Sequence, residues 1–252
     1  MPKAVVTGAS GGIGLEIARV LAPDHDLVLV ARSADKLQAL ATELGGAQVV
    51  AADLSTAAGV GAVTGAVTDA DILVNNAGVG DFGPFAEADP ERTDQMIQLN
   101  VTSLTALTRH FLPGMLARRE GRILNVASTA SFQPGPLMAV YYATKAYVLS
   151  FSEALTEETR GTGVTVTALC PGPTASGFQA AADMELSPLV ANRRLPTSAE
   201  VAAFGVKAMQ RGDAVAVPGV MNKLMAESVR FSPRFVTRRL VHKLQATKPG
   251  AS

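Results

Sequence analysis

Apolar positions along the chain follow two patterns, short continuous runs and longer segments with a helical period. The runs predict seven buried strands, beginning near Val5 and then at 27–31, 48–52, 71–74, 122–126, 164–169 and 214–217. The periodic segments between them predict helices, of which the clearest are 13–21, 34–44, 90–118 and 141–161. Strands that alternate with helices at this spacing favour an α/β fold, a doubly wound parallel sheet with helices on both faces.

Composition narrows the class of protein further. The 252 residues contain no linker-like run, so we expect one domain over 1–252. A net charge of zero argues against nucleic acid as a partner, and one cysteine, Cys170, excludes an internal disulfide and suits a reducing compartment. The N-terminus lacks the apolar core of a signal peptide, and no apolar run approaches the roughly 18 residues of a membrane span. We therefore expect a soluble, cytoplasmic protein.

The first predicted strand ends in a glycine-rich turn, V-V-T-G-A-S-G-G-I-G at 5–14. Gly8, Gly12 and Gly14 have no Cβ, so the chain can turn sharply and a pyrophosphate can approach its backbone. The amides and dipole of the next helix would face that phosphate. Strand, turn and helix in this order are the first half of a Rossmann-type dinucleotide site, in which we also place Ser10 and Ile13.

The end of the second strand indicates which dinucleotide binds. An NAD site usually has an acidic side chain there, but this chain has Arg32. A guanidinium suits a 2′-phosphate, because it is always charged and can engage two oxygens. The sequence therefore predicts NADP(H) in preference to NAD(H). The alternative is that Arg32 is a solvated residue at the start of a helix.

A tyrosine and a lysine form the candidate catalytic pair. Tyr141 and Lys145 are four residues apart on a predicted helix, so they share a face. Neither Tyr142 nor Tyr147 has a lysine at that spacing. A phenol with a pKa of about 10 is a poor base near pH 7, and a neighbouring ammonium would lower that pKa. The alternative is a solvated helix face that carries both side chains.

Several motifs occur in one order along roughly the first two-thirds of the chain, and together they resemble the short-chain dehydrogenase/reductase family. They are T-G-x-x-x-G-x-G from Thr7 to Gly14, N-N-A-G at 75–78, the serine of N-V-A-S-T at Ser128, Y-x-x-x-K from Tyr141 to Lys145, and P-G at 171–172. The resemblance implies an enzyme that interconverts a carbonyl and an alcohol by hydride transfer with a nicotinamide cofactor.

The resemblance also assigns four catalytic roles. Tyr141 would be the general acid/base, and Lys145 would depress its pKa and hold the nicotinamide ribose. Ser128 would donate a hydrogen bond to the substrate oxygen. Asn100, in the long helix before the fifth strand, would hold a water that connects Lys145 to solvent.

Further cofactor contacts are implied by the same resemblance. They are Asp53 and Leu54 beside the adenine, Asn75, Ala77 and Gly78 after the fourth strand, and Pro171, Gly172, Thr174 and Ser176 after the sixth. Thr174 and Ser176 depart from the aliphatic residue and threonine that are usual there. Gly11 stands where many NADP-preferring relatives have a basic residue. With no H-E-x-x-H and no clustered ligands, we predict no metal site.

An apolar substrate is expected from the segments around the catalytic residues. The segment 176–195 would cover the substrate with Phe178, Met184, Leu186 and Leu189, and the pocket would add Phe82, Phe85, Leu137 and Met138. These residues favour a lipophilic ketone, and thus a carbonyl reductase. The alternatives are an acyl-thioester 3-ketoreductase of lipid metabolism and a non-catalytic NADP-binding sensor. A sensor would need only the glycine turn, so Ser128, Tyr141 and Lys145 together speak against it.

The sequence also gives expectations for the oligomeric state and for the C-terminal extension. In relatives the two long helices pair across a dimer axis, which predicts a homodimer or homotetramer. The extension 221–252 has seven Lys or Arg against Glu227 alone, a balance of +6, with a stripe of Leu240, Val241 and Leu244. Such a helix could lie on an anionic membrane surface or cover the substrate site. We favour a solvated basic face whose apolar stripe packs on the protein.

Overall fold

A parallel sheet of seven strands is the centre of the fold. The structure, a computed structural model, describes residues 1–177 and 195–245. The strands are β1 Lys3–Thr7, β2 Asp26–Ala31, β3 Gln48–Ala51, β4 Ile72–Asn75, β5 Gly121–Val126, β6 Val164–Leu169 and β7 Val215–Ala216. Their order across the sheet is β3-β2-β1-β4-β5-β6-β7. This order reverses direction at β1 and β4, which confirms the predicted doubly wound, Rossmann-type sheet.

Helices connect the strands and extend the chain at its end. Those named here are α1 Gly12–Leu21, α2 Ala34–Glu43, α3 Ala57–Ala66, α4 Pro90–Ile97, α5 Leu104–Arg118, α6 Ala139–Glu158, α7 Ser198–Arg211, α8 Val220–Phe231 and α9 Arg234–Gln245. Two predicted starts have their expected caps. Asp89 accepts a hydrogen bond from the Glu91 amide before α4, and Thr197 and Glu200 form a reciprocal capping box before α7.

Alternate residues of each strand enter two separate hydrophobic cores. Val6 belongs to the core that α1, α2 and α7 cover, whereas its neighbour Val5 belongs to the core under α3, α5 and α6. This alternation follows from the two-residue period of a strand. Because helices cover both faces, the strands are apolar throughout, and the polar groups that could do chemistry concentrate at the strand ends.

The predicted helix 90–118 is interrupted in the structure by a π turn, Gln98–Ser103. The Ser103 hydroxyl donates to the carbonyls of Gln98 and Leu54, which ties the turn to the loop after β3. The wider turn accommodates an extra residue, and such turns are frequent at functional sites. Here the turn contains Asn100, which is buried.

Helices α8 and α9 form the C-terminal arm, which we define as residues 220–245. The predicted extension 221–252 is therefore two helices as far as residue 245, and 246–252 lie outside the described residues. Among the described residues, no helix combines the length and the apolar character that crossing a bilayer requires.

Candidate active site

The ends of β1 and β4 are joined by a network of polar side chains. The Thr7 hydroxyl donates to the Val74 carbonyl at 3.1 Å and accepts from the amides of Asn76 and Ala77, each at 3.0 Å. The Asn76 side chain donates to the Thr7 carbonyl at 3.0 Å. Asn76 is a site residue that sequence reasoning missed, although its place in N-N-A-G was a signal.

The glycine turn lies directly on this network. Gly8 and Gly12 have φ angles of +67° and +57°, a region that disfavours other residues. A Cβ on Gly8 would lie 2.6 Å from the Asn76 side chain, and one on Gly14 would overlap the Gly8 carbonyl. Ser10 and Ile13 are half-buried in the same turn. Gly11, the N-cap residue of α1, has no side chain that could cap the helix start, an arrangement typical of helices whose first amides bind a pyrophosphate.

Arg32 and Asp53 lie together beyond the ends of β2 and β3. Arg32 is exposed, and it forms no ion pair within residues 1–177 and 195–245. The pKa of the Asp53 carboxyl lies below its usual value because the hydroxyl and amide of Ser55 donate to it, with a smaller contribution from the charge of Arg32. Leu54 is buried in the core. These positions suit a guanidinium that faces a 2′-phosphate.

Asn75 has a different part in the site from its neighbours in N-N-A-G. Its side-chain amide donates to Thr108 at 3.1 Å and to Asn125 at 2.9 Å, so it braces β4 against β5 and α5. The side-chain nitrogen of Asn75 is therefore used within the protein, whereas its buried side-chain oxygen has no hydrogen-bond partner among the described residues. Ala77 and Gly78, by contrast, are half-buried in the loop that follows.

Tyr141, Lys145 and Ser128 lie together in the structure. The first turns of α6 place Tyr141 and Lys145 on one face, with the lysine nitrogen 5.9 Å from the centre of the tyrosine ring. That nitrogen donates to the Val126 carbonyl at the end of β5, at 2.7 Å. Ser128 follows β5, and its hydroxyl hydrogen-bonds the hydroxyl of Tyr141. Two parts of the sequence, the end of β5 and the start of α6, thus converge at one point.

The amide of Asn100 holds the loop after β4 against α6. Its oxygen accepts from the Val79 amide at 3.0 Å, and its nitrogen donates to the Val79 carbonyl at 2.9 Å and to the Thr144 hydroxyl at 3.1 Å. A Cβ on Gly78 would lie 3.2 Å from the Asn100 oxygen and 3.4 Å from the Lys145 nitrogen. Both hydrogens of the Asn100 side-chain amide are used in these hydrogen bonds. We therefore expect the predicted water to donate a hydrogen bond to a carbonyl oxygen of Asn100.

Burial shifts the pKa values of both Tyr141 and Lys145. Burial raises the pKa of Tyr141 above its ordinary value, and the hydrogen bond from Ser128 opposes this effect only in part. Burial also lowers the pKa of Lys145 to about 8. Without a cofactor, burial therefore outweighs the lowering of the Tyr141 pKa that the resemblance assigns to Lys145, because removal from water disfavours the charged phenolate. The polypeptide keeps Tyr141 as a phenol, which is its proton-donating form.

The turn after β6 completes the predicted cofactor site. A Cβ on Gly12 would lie 3.5 Å from the Cβ of Ser176, so this turn lies against the glycine turn. Thr174 is buried, and its hydroxyl donates to the Gly172 carbonyl at 2.9 Å. The Pro171 carbonyl accepts from the Thr129 amide at 2.9 Å, which fixes the turn beside Ser128.

An apolar wall lies beside Tyr141, and part of it comes from the C-terminal arm. Met138 and Val241 are buried in one cluster with both tyrosines, and Phe82 packs against it. The Gln245 side chain donates to the Tyr142 hydroxyl at 2.7 Å. The arm thus covers this part of the site. The other predicted covering residues, Phe178, Met184, Leu186 and Leu189, lie outside the described residues.

Two predicted pocket residues have other positions. Phe85 is 65% exposed and lines an apolar groove of about 420 Å³ with Ile97 and Val140, on a different face of α6 from Tyr141. Phe85 precedes α4 in the short helix Phe85–Glu87, and its place in the substrate pocket stays a prediction. Leu137 is half-buried with φ at +65°, an unusual conformation for a bulky residue that lies at the start of α6.

Comparison with known proteins agrees with this geometry. A sequence model described as short chain dehydrogenase matches residues 2–186. A D-beta-hydroxybutyrate dehydrogenase of Cupriavidus necator is 39% identical over 178 residues, which are 67% of this chain and 69% of that protein.

Two solved structures extend the likeness to nearly the whole chain. A short-chain dehydrogenase from Sphingobium yanoikuyae in complex with NADPH superposes with a TM-score of 0.84 at 30% identity, over 100% of this chain and 99% of that one. A bulky-bulky ketone specific alcohol dehydrogenase from Comamonas testosteroni gives 0.79 at 28% identity, over 92% of each chain.

Proposed function

The chain belongs to the short-chain dehydrogenase/reductase family, and we propose that it is an NADP(H)-dependent oxidoreductase that interconverts a lipophilic ketone or aldehyde and its alcohol. The observation that carries this proposal is the convergence of Ser128, Tyr141 and Lys145 at the carboxyl end of the sheet. A sensor that only binds the nucleotide would not need this arrangement, which favours turnover over that alternative.

The residues divide the work of reduction among them. The nicotinamide cofactor, when bound, supplies the hydride for the carbonyl carbon, or accepts it from the alcohol carbon in oxidation. Tyr141 donates its proton to the substrate oxygen, and Ser128 donates a hydrogen bond to the same oxygen. The Lys145 ammonium stabilises the resulting charge on Tyr141. With a pKa of about 8, Lys145 can also pass a proton towards it near neutral pH.

Arg32 is the residue on which the preference for NADP(H) rests. We expect Arg32→Ala to lower kcat/KM for NADPH about 10- to 100-fold, because a charge-assisted hydrogen bond contributes about 1.5–3 kcal/mol. The value for NADH should change little. Lys36→Ala, which removes an exposed cation of α2, is the matched control. Equal use of both cofactors by the unaltered protein would refute the preference.

The apolar wall supports a bulky, lipophilic substrate. The Comamonas protein is described as specific for bulky-bulky ketones, and the site here has Met138, Phe82 and Val241 beside Tyr141. The test is a panel of carbonyl compounds at fixed NADPH, from short 3-oxo acids to ketones with two bulky substituents. We expect kcat/KM to rise with apolar bulk on both sides of the carbonyl. A clear preference for short polar sugars would overturn the proposal.

The runner-up activity is reduction of a 3-oxoacyl thioester. The Cupriavidus relative is named for a β-hydroxy acid, which carries its alcohol at the same position relative to the carboxyl group as the product of that reaction. A 3-oxoacyl thioester belongs in the same panel. Higher kcat/KM for this thioester than for every simple ketone would establish the alternative.

A homodimer or homotetramer is also part of the proposal. Ile97 and Val140, which line the apolar groove together with Phe85, lie on α4 and α6, in the two long helical segments predicted to pair between subunits, and Tyr147 of α6 is also exposed. An apolar groove on these helices supports burial against a second copy. Sedimentation velocity measures the assembly directly.

A further inference from the structure

The C-terminal arm exposes apolar side chains to an extent that the rest of the described chain does not. More than half of the exposed large apolar side chains among the described residues lie on it. They are Val220, Met221, Leu224, Met225, Phe231, Phe235, Val236 and Leu240. Single exposed apolar residues are ordinary, but a group of this size on two adjacent helices indicates an interaction surface.

On α8 these side chains form one continuous sector. Val220, Leu224 and Phe231 recur at helical spacing, and the exposed Met221 and Met225 widen the same face. Ala226, on the other side of the helix, is buried. The apolar sector of α8 therefore faces away from the protein.

Helix α9 has one face on the protein and one outside. Val241 and Gln245 are buried beside the two tyrosines, whereas Phe235, Val236 and Leu240 are exposed. Of the stripe predicted to pack, Val241 does so, but Leu240 is 55% exposed. The expectation of a stripe wholly packed on the protein is wrong for Leu240.

The charge of the arm is strongly positive although the whole chain has no net charge. Within 220–245, Glu227 is the single acidic residue. Five exposed cations accompany the apolar side chains, namely Lys223, Arg234, Arg238, Arg239 and Lys243. Long basic side chains can keep their heads at a polar boundary while their stems lie along an apolar phase.

We propose that the C-terminal arm docks on an anionic lipid surface, with the apolar sector of α8 and the outer face of α9 entering the headgroup boundary. Apolar area and cations on one surface are the combination that such a boundary binds. A second copy of the chain fits less well, because a twofold contact of this surface with itself would place two equally basic surfaces against each other.

Docking by this surface would bring the site beside Tyr141 close to the lipid. Val241 and Gln245 belong to the same helix as the exposed Leu240, so α9 contacts the apolar wall on one side and lipid on the other. A lipophilic substrate dissolved in the bilayer would then have a short path to the site. The docking itself does not depend on the proposed function.

The test is co-sedimentation of the full chain with vesicles of equal parts phosphatidylcholine and phosphatidylglycerol, compared with phosphatidylcholine alone. We expect binding to the anionic vesicles that weakens as salt is added. Leu224→Glu combined with Met225→Glu should reduce binding at least about tenfold, since two apolar contacts are replaced by charges that repel the lipid. Arg239→Gln and Lys243→Gln should each reduce it about fivefold, which corresponds to about 1 kcal/mol per cation.

Matched controls lie on α7, which is outside the arm. Phe204→Glu and Lys207→Gln alter an exposed apolar residue and an exposed cation there, and should leave binding unchanged. Failure of the unaltered protein to bind anionic vesicles, or equal binding to both kinds of vesicle, overturns the proposal. So does a change in sedimentation coefficient of the Leu224→Glu, Met225→Glu variant without lipid, which would identify the surface as a subunit contact.

Discussion

The neighbouring residues Tyr141 and Tyr142 contact two regions of the molecule, and the sequence predicts the contacts of one region better than those of the other. Tyr141 forms a hydrogen bond with Ser128, which lies thirteen residues earlier in the part of the chain that carries the motifs. Tyr142 forms a hydrogen bond with Gln245, which lies 103 residues later in the C-terminal arm. The first contact follows from helix spacing and a strand end. The second requires the tertiary fold. Motif spacing therefore predicts the chemistry of this site, but the shape of its apolar wall depends on a distant part of the chain.

The largest expected effect separates the roles of the two tyrosines. Tyr141→Phe should lower kcat about 10³- to 10⁴-fold, because it removes the proton donor while the ring still fills its place. Cofactor affinity, followed by NADPH fluorescence, should remain within about twofold. Tyr142→Phe is the matched control and should retain most of its turnover. Near-normal activity of Tyr141→Phe would remove the proposed acid–base role.

A second experiment contrasts a buried lysine of the catalytic region with an exposed one of the arm. The pKa of Lys145 is lowered by burial from 10.5 to about 8, so between these values the unfolded state binds more protons and stability rises with pH. The Lys145→Met variant lacks this rise of stability with pH, because methionine does not titrate. Its free energy of unfolding relative to the unaltered protein should therefore fall by about 3 kcal/mol between pH 7 and pH 10.5.

Urea denaturation at both pH values measures this difference. Tyr141 is present in both proteins, so its own titration largely cancels from the comparison. Lys223→Met, which removes an exposed lysine of α8, is measured alongside as the control for the loss of a lysine. A pH-independent difference for Lys145→Met would mean that Lys145 is not buried in solution.

The fold was accessible to sequence reasoning because buried parallel strands are continuous apolar runs. Every predicted strand is present, and the least regular, 214–217, is reduced to Val215–Ala216. The π turn at Gln98–Ser103 was not predicted, because an extra residue in a turn hardly alters the apolar period of 90–118. Its register depends on contacts of Asn100 and Ser103 with distant loops.

In the candidate site too, features that depend on tertiary contacts could not be predicted from the sequence. Spacing selected Tyr141 and Lys145, but it could not give the sign of their pKa shifts, because burial depends on what packs above them. The C-terminal arm is the clearest example of a feature that the sequence pattern does not predict. Leu240 and Val241 are adjacent apolar residues in the sequence, yet one is exposed and the other is buried against the tyrosines.

The smallest expected effect tests whether the arm belongs to the site in solution. Tyr142→Phe leaves the buried Gln245 amide without its partner, and the amide oxygen has none among the described residues. We expect this variant to lose about 1–2 kcal/mol of unfolding free energy. Adding Gln245→Leu replaces both partners by apolar groups of similar shape, so the double variant should recover most of that loss. Urea denaturation of both single variants and the double variant measures the coupling. Simple additivity would mean that Gln245 does not contact Tyr142, in which case α9 would not form the wall beside Tyr141, and preference for bulky ketones would have to arise from another part of the chain.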